Sequence, residues 1–92
     1  AYLELGNRPE ALGDYTRAIA TDPGHVSAYV NRGRLKGLLG DYEGAVRDYD
    51  RAIEIRPGFA GAWNNRGWVR IKQARYAEAL ADLDQALSRA AE

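Results

Sequence analysis

Between residues 26 and 59 the chain sets apolar and small side chains at helical intervals. Tyr29, Gly33 and Leu39 mark one stretch, and Ala45, Val46, Tyr49, Ala52 and Ile53 mark a second. Steps near three, four and seven keep such residues on one face of a helix, so the pattern predicts two amphipathic helices. Gly40-Asp41 separates them, because glycine accepts the left-handed conformation of a helix end and Asp caps the start of the next helix. Pro57 closes the second helix: it lacks an N–H and disfavours helix in the residue before it. Small residues at Gly33, Ala45 and Ala52 let the two helices approach closely, while Tyr15, Tyr29, Tyr49 and Trp63 are expected to fill the larger gaps.

The same pattern recurs. Pro23 and Pro57 stand 34 residues apart, as do Tyr15 and Tyr49, Ile19 and Ile53, Gly6 and Gly40, and Tyr42 and Tyr76. Ala11, Ala45 and Ala79 keep the step, and so do Asp14, Asp48 and Asp82, and Ala18, Ala52 and Ala86. Asn31-Arg32-Gly33 returns as Asn65-Arg66-Gly67. So many coincidences on one offset define a repeat whose unit is helix, short turn, helix, turn. The division expected is a partial repeat over 1–25, a full one over 26–59 and a nearly full one over 60–92.

An aromatic four residues before a glycine (Tyr29 to Gly33, Trp63 to Gly67), followed by Gly40, Tyr42, Ala45, Tyr49, Ala52 and Pro57, resembles the tetratricopeptide repeat consensus. The resemblance covers nearly the whole chain. It implies an all-α fold, a right-handed superhelical solenoid of antiparallel helix pairs. Departures from the consensus are Arg8 in place of an aromatic, Ala74 in place of the turn glycine, Leu83 in place of an aromatic and Ala91 in place of the closing proline. Ala91 suggests a final helix running to the chain end. Lys36 and Arg70 stand where the family often carries aromatics, which suggests looser packing between repeats.

The resemblance also implies that the first helix of each repeat lines a concave groove. Positions outside the core on those helices are then Ser27, Val30, Asn31, Arg34 and Leu38, and Asn64, Asn65, Trp68, Ile71 and Lys72. A peptide or protein segment is the expected partner. Asn31 and Asn65 each offer a donor and an acceptor to a peptide backbone. Trp68 is either an interface anchor or a residue packed on the neighbouring helix. The carboxylate clamp by which some members grip acidic chaperone tails needs a groove Asn followed by Lys and Arg in the next repeat. Asn31 meets the first requirement, but Gly61 and Asn65 occupy the Lys and Arg positions. One repeat later Asn65 supplies the Asn, yet Val30 and Arg34 do not fit the preceding Lys and Asn, so the clamp is not expected.

The repeated arginines and aspartates have a structural reading: each Arg reaches an Asp on an adjoining helix in a two-bonded pair that sets helix register. The alternative is a polar ladder that a partner touches. His25, after Pro23-Gly24, reads as a turn or surface residue. Single glycines at turns and contacts do not form a phosphate loop, and no constellation of an enzyme site, cofactor site or metal site is apparent.

Composition narrows the function further. Thirteen basic and thirteen acidic residues give a formal net charge of +0, which offers no general attraction to nucleic acid or anionic membrane. With no cysteine there is neither a disulfide framework nor a thiolate zinc site. No apolar run approaches the roughly 18 residues of a membrane-spanning helix. A nucleic-acid reader built from Arg34, Arg70 and Lys72 is therefore the weakest of three classes, behind an interaction scaffold and a structural spacer or self-assembling module. The absence of methionine and the helix-tail character of residues 1–6 suggest a fragment of a longer protein, and the excess of Arg, Ala and Gly suggests a bacterial source. No compartment is encoded, so a cytoplasmic one is only the default. Open array ends need covering; Ala79, Leu80, Leu83, Ala86 and Leu87 are expected to lie there and to favour marginal stability or self-association.

Overall fold

A computed structural model describes residues 8–90, with side chains from Pro9 onward. The expected helix tail at 1–6, Gly6 and Ala91 lie outside the described residues, as does the side chain of Arg8. Five helices follow one another: α1 Arg8–Thr21, α2 Val26–Leu38, α3 Tyr42–Ile55, α4 Ala60–Lys72 and α5 Tyr76–Ala90. No strand occurs among the described residues. Short turns make successive helices antiparallel neighbours. The most extensive contacts pair α2 with α3 and α4 with α5, while α3 packs on α4, α1 on α2, and α2 also touches α4.

Local chemistry sets the helix ends. Asp41 caps α3, its carboxylate accepting the Gly44 N–H at 3.0 Å. His25 does the same for α2 through Nδ1, which accepts the Ala28 N–H at 3.1 Å. The turn histidine is thus a helix cap, a role its spacing to Ala28 leaves unmarked because Ser, Thr, Asp and Asn are the usual capping residues. The turn after α2 closes with the Asp41 N–H donating to the Lys36 carbonyl at 2.8 Å, around Gly40 at φ +88°. The turn after α4 is built alike: the Arg75 N–H donates to the Arg70 carbonyl at 2.8 Å. Here the left-handed position is occupied by Ala74 at φ +61°.

One cluster of buried residues joins three helices: Val26, Tyr29 and Val30 from α2, Ala45, Tyr49 and Ala52 from α3, and Ala62 and Val69 from α4. Glycine permits the closest approach within each pair. A Cβ on Gly33 would lie 2.8 Å from Cε1 of the buried Tyr49. On Gly67 it would meet Leu83 Cδ2 at 3.1 Å and the Ala79 carbonyl oxygen at 3.2 Å. Trp63 is fixed by polar contacts around its ring system. It is half-buried, donates through Nε1 to the Pro57 carbonyl at 2.8 Å, and has the guanidinium groups of Arg66 and Arg89 at 5.1 and 4.8 Å from its ring.

The far face of the last pair is only partly open. Ala79 and Ala86 are buried and do not need the covering expected of them, while the half-buried Leu83 lines an open surface groove with Leu87 and Ala90. Leu83 also reaches α4, its Cδ2 3.1 Å from where a Cβ on Gly67 would stand. Leu80 and Leu87 remain 61% and 73% exposed.

Ala74 gives a direct test of the turn. A non-glycine residue in the left-handed region carries about 1–2 kcal/mol of strain, partly offset by the greater unfolded-state freedom of glycine. Ala74→Gly is expected to stabilise the protein by about 0.5–1 kcal/mol, and Gly40→Ala to destabilise it by about 1 kcal/mol. Urea denaturation midpoints measure both; opposite signs would show that the turn conformation does not govern these positions.

Candidate functional site

The site is assembled on a charged ladder. Arg32 on α2 donates from Nε and Nη2 to both carboxylate oxygens of Asp48 on α3, at 2.8 and 2.7 Å. One repeat later Arg66 on α4 holds Asp82 on α5 in the same way, at 2.9 and 2.7 Å. The two-bonded pairing expected from sequence is therefore present. Each fork also reaches back to the preceding helix: Arg66 Nη1 bonds Asp50 on α3 at 2.7 Å, and Arg32 Nη1 approaches the Thr16 hydroxyl on α1 at 3.4 Å. Both arginine pKa values are raised, first by the hydrogen bond to the buried Asp and against the opposing pull of burial. Asp14 instead pairs with Arg17 on its own helix.

Lys36 and Arg70, which stand where the family often carries aromatics, join this arrangement within their own repeats. They lie one turn beyond Arg32 and Arg66, where the i, i+4 spacing brings them to the same carboxylates. Lys36 Nζ is 3.3 Å from Asp48, and Arg70 Nη1 is 3.1 Å from Asp82 with Glu78 also in reach at 3.6 Å. Two cations thus flank each buried carboxylate, and Asp48 and Asp82 are only 4% and 2% exposed.

With register held in this way, α2 and α4 lie side by side and enclose a groove of about 280 Å³ lined by Arg34, Gly37, Leu38, Tyr49, Asn64, Asn65, Trp68 and Val69. Five of the expected groove residues meet here: Arg34 and Leu38 from α2, and Asn64, Asn65 and Trp68 from α4. Asn31 sits beside Arg34, its Oδ1 accepting from the guanidinium at 3.4 Å. Lys72 places its ammonium 4.6 Å from the Trp68 ring centre. Ile71 is exposed on the same helix and Ser27 is exposed on α2. Val30 is a correction: it is 8% exposed and belongs to the core cluster with Ala62 and Val69. Its side chain is committed to packing.

Trp68 resolves toward solvent, at 52% exposure, and does not pack away between helices. Tyr49 and Val69 form the groove's buried wall, each 2% exposed. Burial pushes the Tyr49 phenol up to about 12, with the Arg34 charge acting in the opposite sense, so the ring is neutral at physiological pH. Tyr49 and Gly37 were missed as groove residues. Tyr49 belongs to a second helix, where periodicity marks it only as core, and Gly37 has no side chain to signal a role. Among the described residues no group of three or more His, Cys, Asp or Glu could hold a metal, and no helix is long and apolar enough to cross a membrane.

Stacked helix pairs with a groove along their first helices define a helical-repeat protein, and comparison with known proteins places it within that class. Two tetratricopeptide repeat family models match, over residues 1–58 and 48–81. The chain belongs to the tetratricopeptide repeat family. Among solved structures, the complex of the yeast Sti1 TPR2B domain with pHsp70 is 31% identical with a TM-score of 0.90, over 96% of this chain and 70% of that one. The second TPR of Spaghetti (RPAP3), bound to the HSP90 peptide SRMEEVD, is 28% identical with a TM-score of 0.87, over 94% and 80%. A crystal structure of MamA is 25% identical with a TM-score of 0.89, and this chain, aligned over 96% of its length, spans about half of it, 52%. No curated protein matches the chain.

Burial separates the parts of the ladder. Removing one partner of a buried ion pair costs about 3–5 kcal/mol, and an exposed one about 0.2–1 kcal/mol. Asp82→Ala is therefore expected to cost at least about 3 kcal/mol, and Asp50→Ala, whose side chain is 49% exposed, less than about 1 kcal/mol. An Arg66–Asp82 double-mutant cycle in chemical denaturation should show coupling well above 1 kcal/mol, about the largest value expected of a surface pair. Additive losses would remove the ladder from its register-setting role.

Proposed function

We propose that this chain is a non-catalytic protein-interaction scaffold that receives a peptide or protein segment in the groove between α2 and α4. The observation that carries this reading is Trp68. A large aromatic residue lies half-exposed beside Asn64 and Asn65 in an apolar-walled groove, with the amphipathic character of an interface anchor. The relatives that hold Hsp70 and HSP90 peptides support the class of partner. They do not carry over the identity of the peptide, because Gly61 and Asn65 stand at the clamp's Lys and Arg positions. The contact set proposed is Arg34, Leu38, Asn64, Asn65 and Trp68, with Asn31, Ile71 and Lys72 at the margins. The repeat division 1–25, 26–59 and 60–92 is proposed with it, and neither nucleic acid, membrane nor cofactor is part of the reading.

Trp68→Ala is expected to weaken binding of peptides selected on the wild-type protein by at least about tenfold, or 1.4 kcal/mol. The denaturation midpoint should stay nearly unchanged, because the side chain is largely outside the core. Selected peptides that bind the variant with full affinity would place the interaction elsewhere.

A second reading, a self-assembling module, rests on α5. Tyr76, Leu80 and Leu87 are exposed on this helix at steps of four and seven residues, which keeps them on one face. Leu80 and Leu87 project from it into solvent. Sedimentation over a concentration series should then show association by wild type and a monomer for Leu87→Glu. Leu83 is unsuitable for this test, since it packs against Gly67. A wild type that stays monomeric throughout removes this reading.

A further inference from the structure

The zero net charge conceals a division between helices. On α2 the charged residues are Arg32, Arg34 and Lys36, and on α4 Arg66, Arg70 and Lys72; neither helix contains an Asp or Glu. The carboxylates of the described residues lie on the other helices, Glu10 and Asp14 on α1, Glu43, Asp48, Asp50 and Glu54 on α3, and Glu78, Asp82 and Asp84 on α5, or in turns, as Asp22 and Asp41 do. Four of the six cations are bound by the ladder carboxylates, as Arg32, Lys36, Arg66 and Arg70 are. Arg34 and Lys72 remain, both exposed, and no carboxylate of the described residues pairs with either. Arg34 lines the groove on its α2 side, and Lys72 lies against the Trp68 ring on its α4 side.

Resting on the groove reading above, we propose that the preferred partner is an acidic segment whose side-chain carboxylates meet Arg34 and Lys72 while a bulky apolar side chain between them covers Trp68 and Leu38. No carboxylate of the described residues competes for these cations, so an incoming carboxylate displaces only the neutral Asn31 Oδ1 at Arg34 and the Trp68 ring at Lys72. Arg34 offers a planar two-bond fork and Lys72 a mobile ammonium. Between them the exposed faces of Trp68 and Leu38 match an apolar side chain, and Asn64 and Asn65 supply donors and acceptors for the peptide backbone. Recognition uses side-chain carboxylates along a segment. The chain-terminal carboxylate has no dedicated receptor, because Gly61 and Asn65 present neither Lys nor Arg to it. An RNA strand fits less well: two unpaired cations and one exposed ring are few against the series of phosphate contacts on which nucleic-acid affinity depends.

The test uses pools of random short peptides, N-acetylated and C-terminally amidated, composed of Glu and Leu, of Gln and Leu, or of Lys and Leu. Binding is read by fluorescence anisotropy, with a fluorescent single-stranded RNA pool as a fourth arm. The Glu/Leu pool should bind, weaken as salt screens the charges, and lose about tenfold in affinity with Arg34→Ala or Lys72→Ala, as loss of a charge-assisted hydrogen bond predicts. Restoring the free C-terminal carboxylate should add nothing. Equal binding of the Gln/Leu pool, or dependence on the free carboxylate, overturns the charge inference while Trp68-dependent binding preserves the groove reading. Binding by none of the peptide pools, or binding unaffected by Trp68→Ala, overturns both. Preferential RNA binding overturns the choice of an acidic protein segment. Circular dichroism of Arg34→Ala and Lys72→Ala, both exposed positions, confirms that any loss of binding occurs in a folded protein.

Discussion

The arginine fork at Arg66 is the contact on which the arrangement of the second helix pair depends. One guanidinium bonds Asp82 on α5 twice and Asp50 on α3 once, while it belongs to α4. Three helices are thereby held at one rotational setting, because the fork is planar and its donors diverge at fixed angles. Arg32 repeats the device for α2 and α3, with the weaker Thr16 contact toward α1. An ion pair of this kind adds little net stability compared with a well-packed apolar alternative. Its contribution here is geometric: small residues such as Gly33, Ala45 and Ala52 let helices slide closely past each other, and the forks choose one register among those the smooth contact allows.

The groove is a consequence of that register. Arg34 and Trp68 occupy equivalent positions one repeat apart, as do Leu38 and Lys72, so each helix offers the same positions with different chemistry. Stacking places one set opposite the other with Tyr49 and Val69 beneath. The ladder also determines the charge of the groove. By binding Arg32, Lys36, Arg66 and Arg70 it leaves the two first helices with only Arg34 and Lys72 as unpaired cations among the described residues. The structural role and the proposed recognition role thus draw on the same basic helices, divided by which face each residue occupies.

Solved relatives that hold Hsp70 and HSP90 peptides share the scaffold to a TM-score of 0.90, yet their likeness resides in backbone geometry. The shared backbone is kept at 31% identity to one of them. Side chains projecting into the groove are free of core packing constraints, so two arrays can superpose closely and present different surfaces. Gly61 and Asn65 illustrate this. Both suit an α4 that packs correctly, and neither supplies the cations of a carboxylate clamp.

Much was legible in the chain itself. The 34-residue step located the helix pairs and their turns, since Gly40, Asp41 and Pro57 act through local backbone chemistry that does not depend on distant contacts. It also exposed the Arg–Asp pairs, because repetition kept both partners in phase. Tertiary structure decided the rest. Val30 and Asn64 are equivalent in the repeat, yet the first is buried in the core cluster and the second is exposed. Lys36 and Arg70 look like lost aromatics until the fold brings them to Asp48 and Asp82. Leu83 and Leu87 both read as end residues, and only the contact with Gly67 separates them. Periodicity tells which face a side chain occupies, but what lies against that face is set by the neighbouring helix, and that is a property of the packed array.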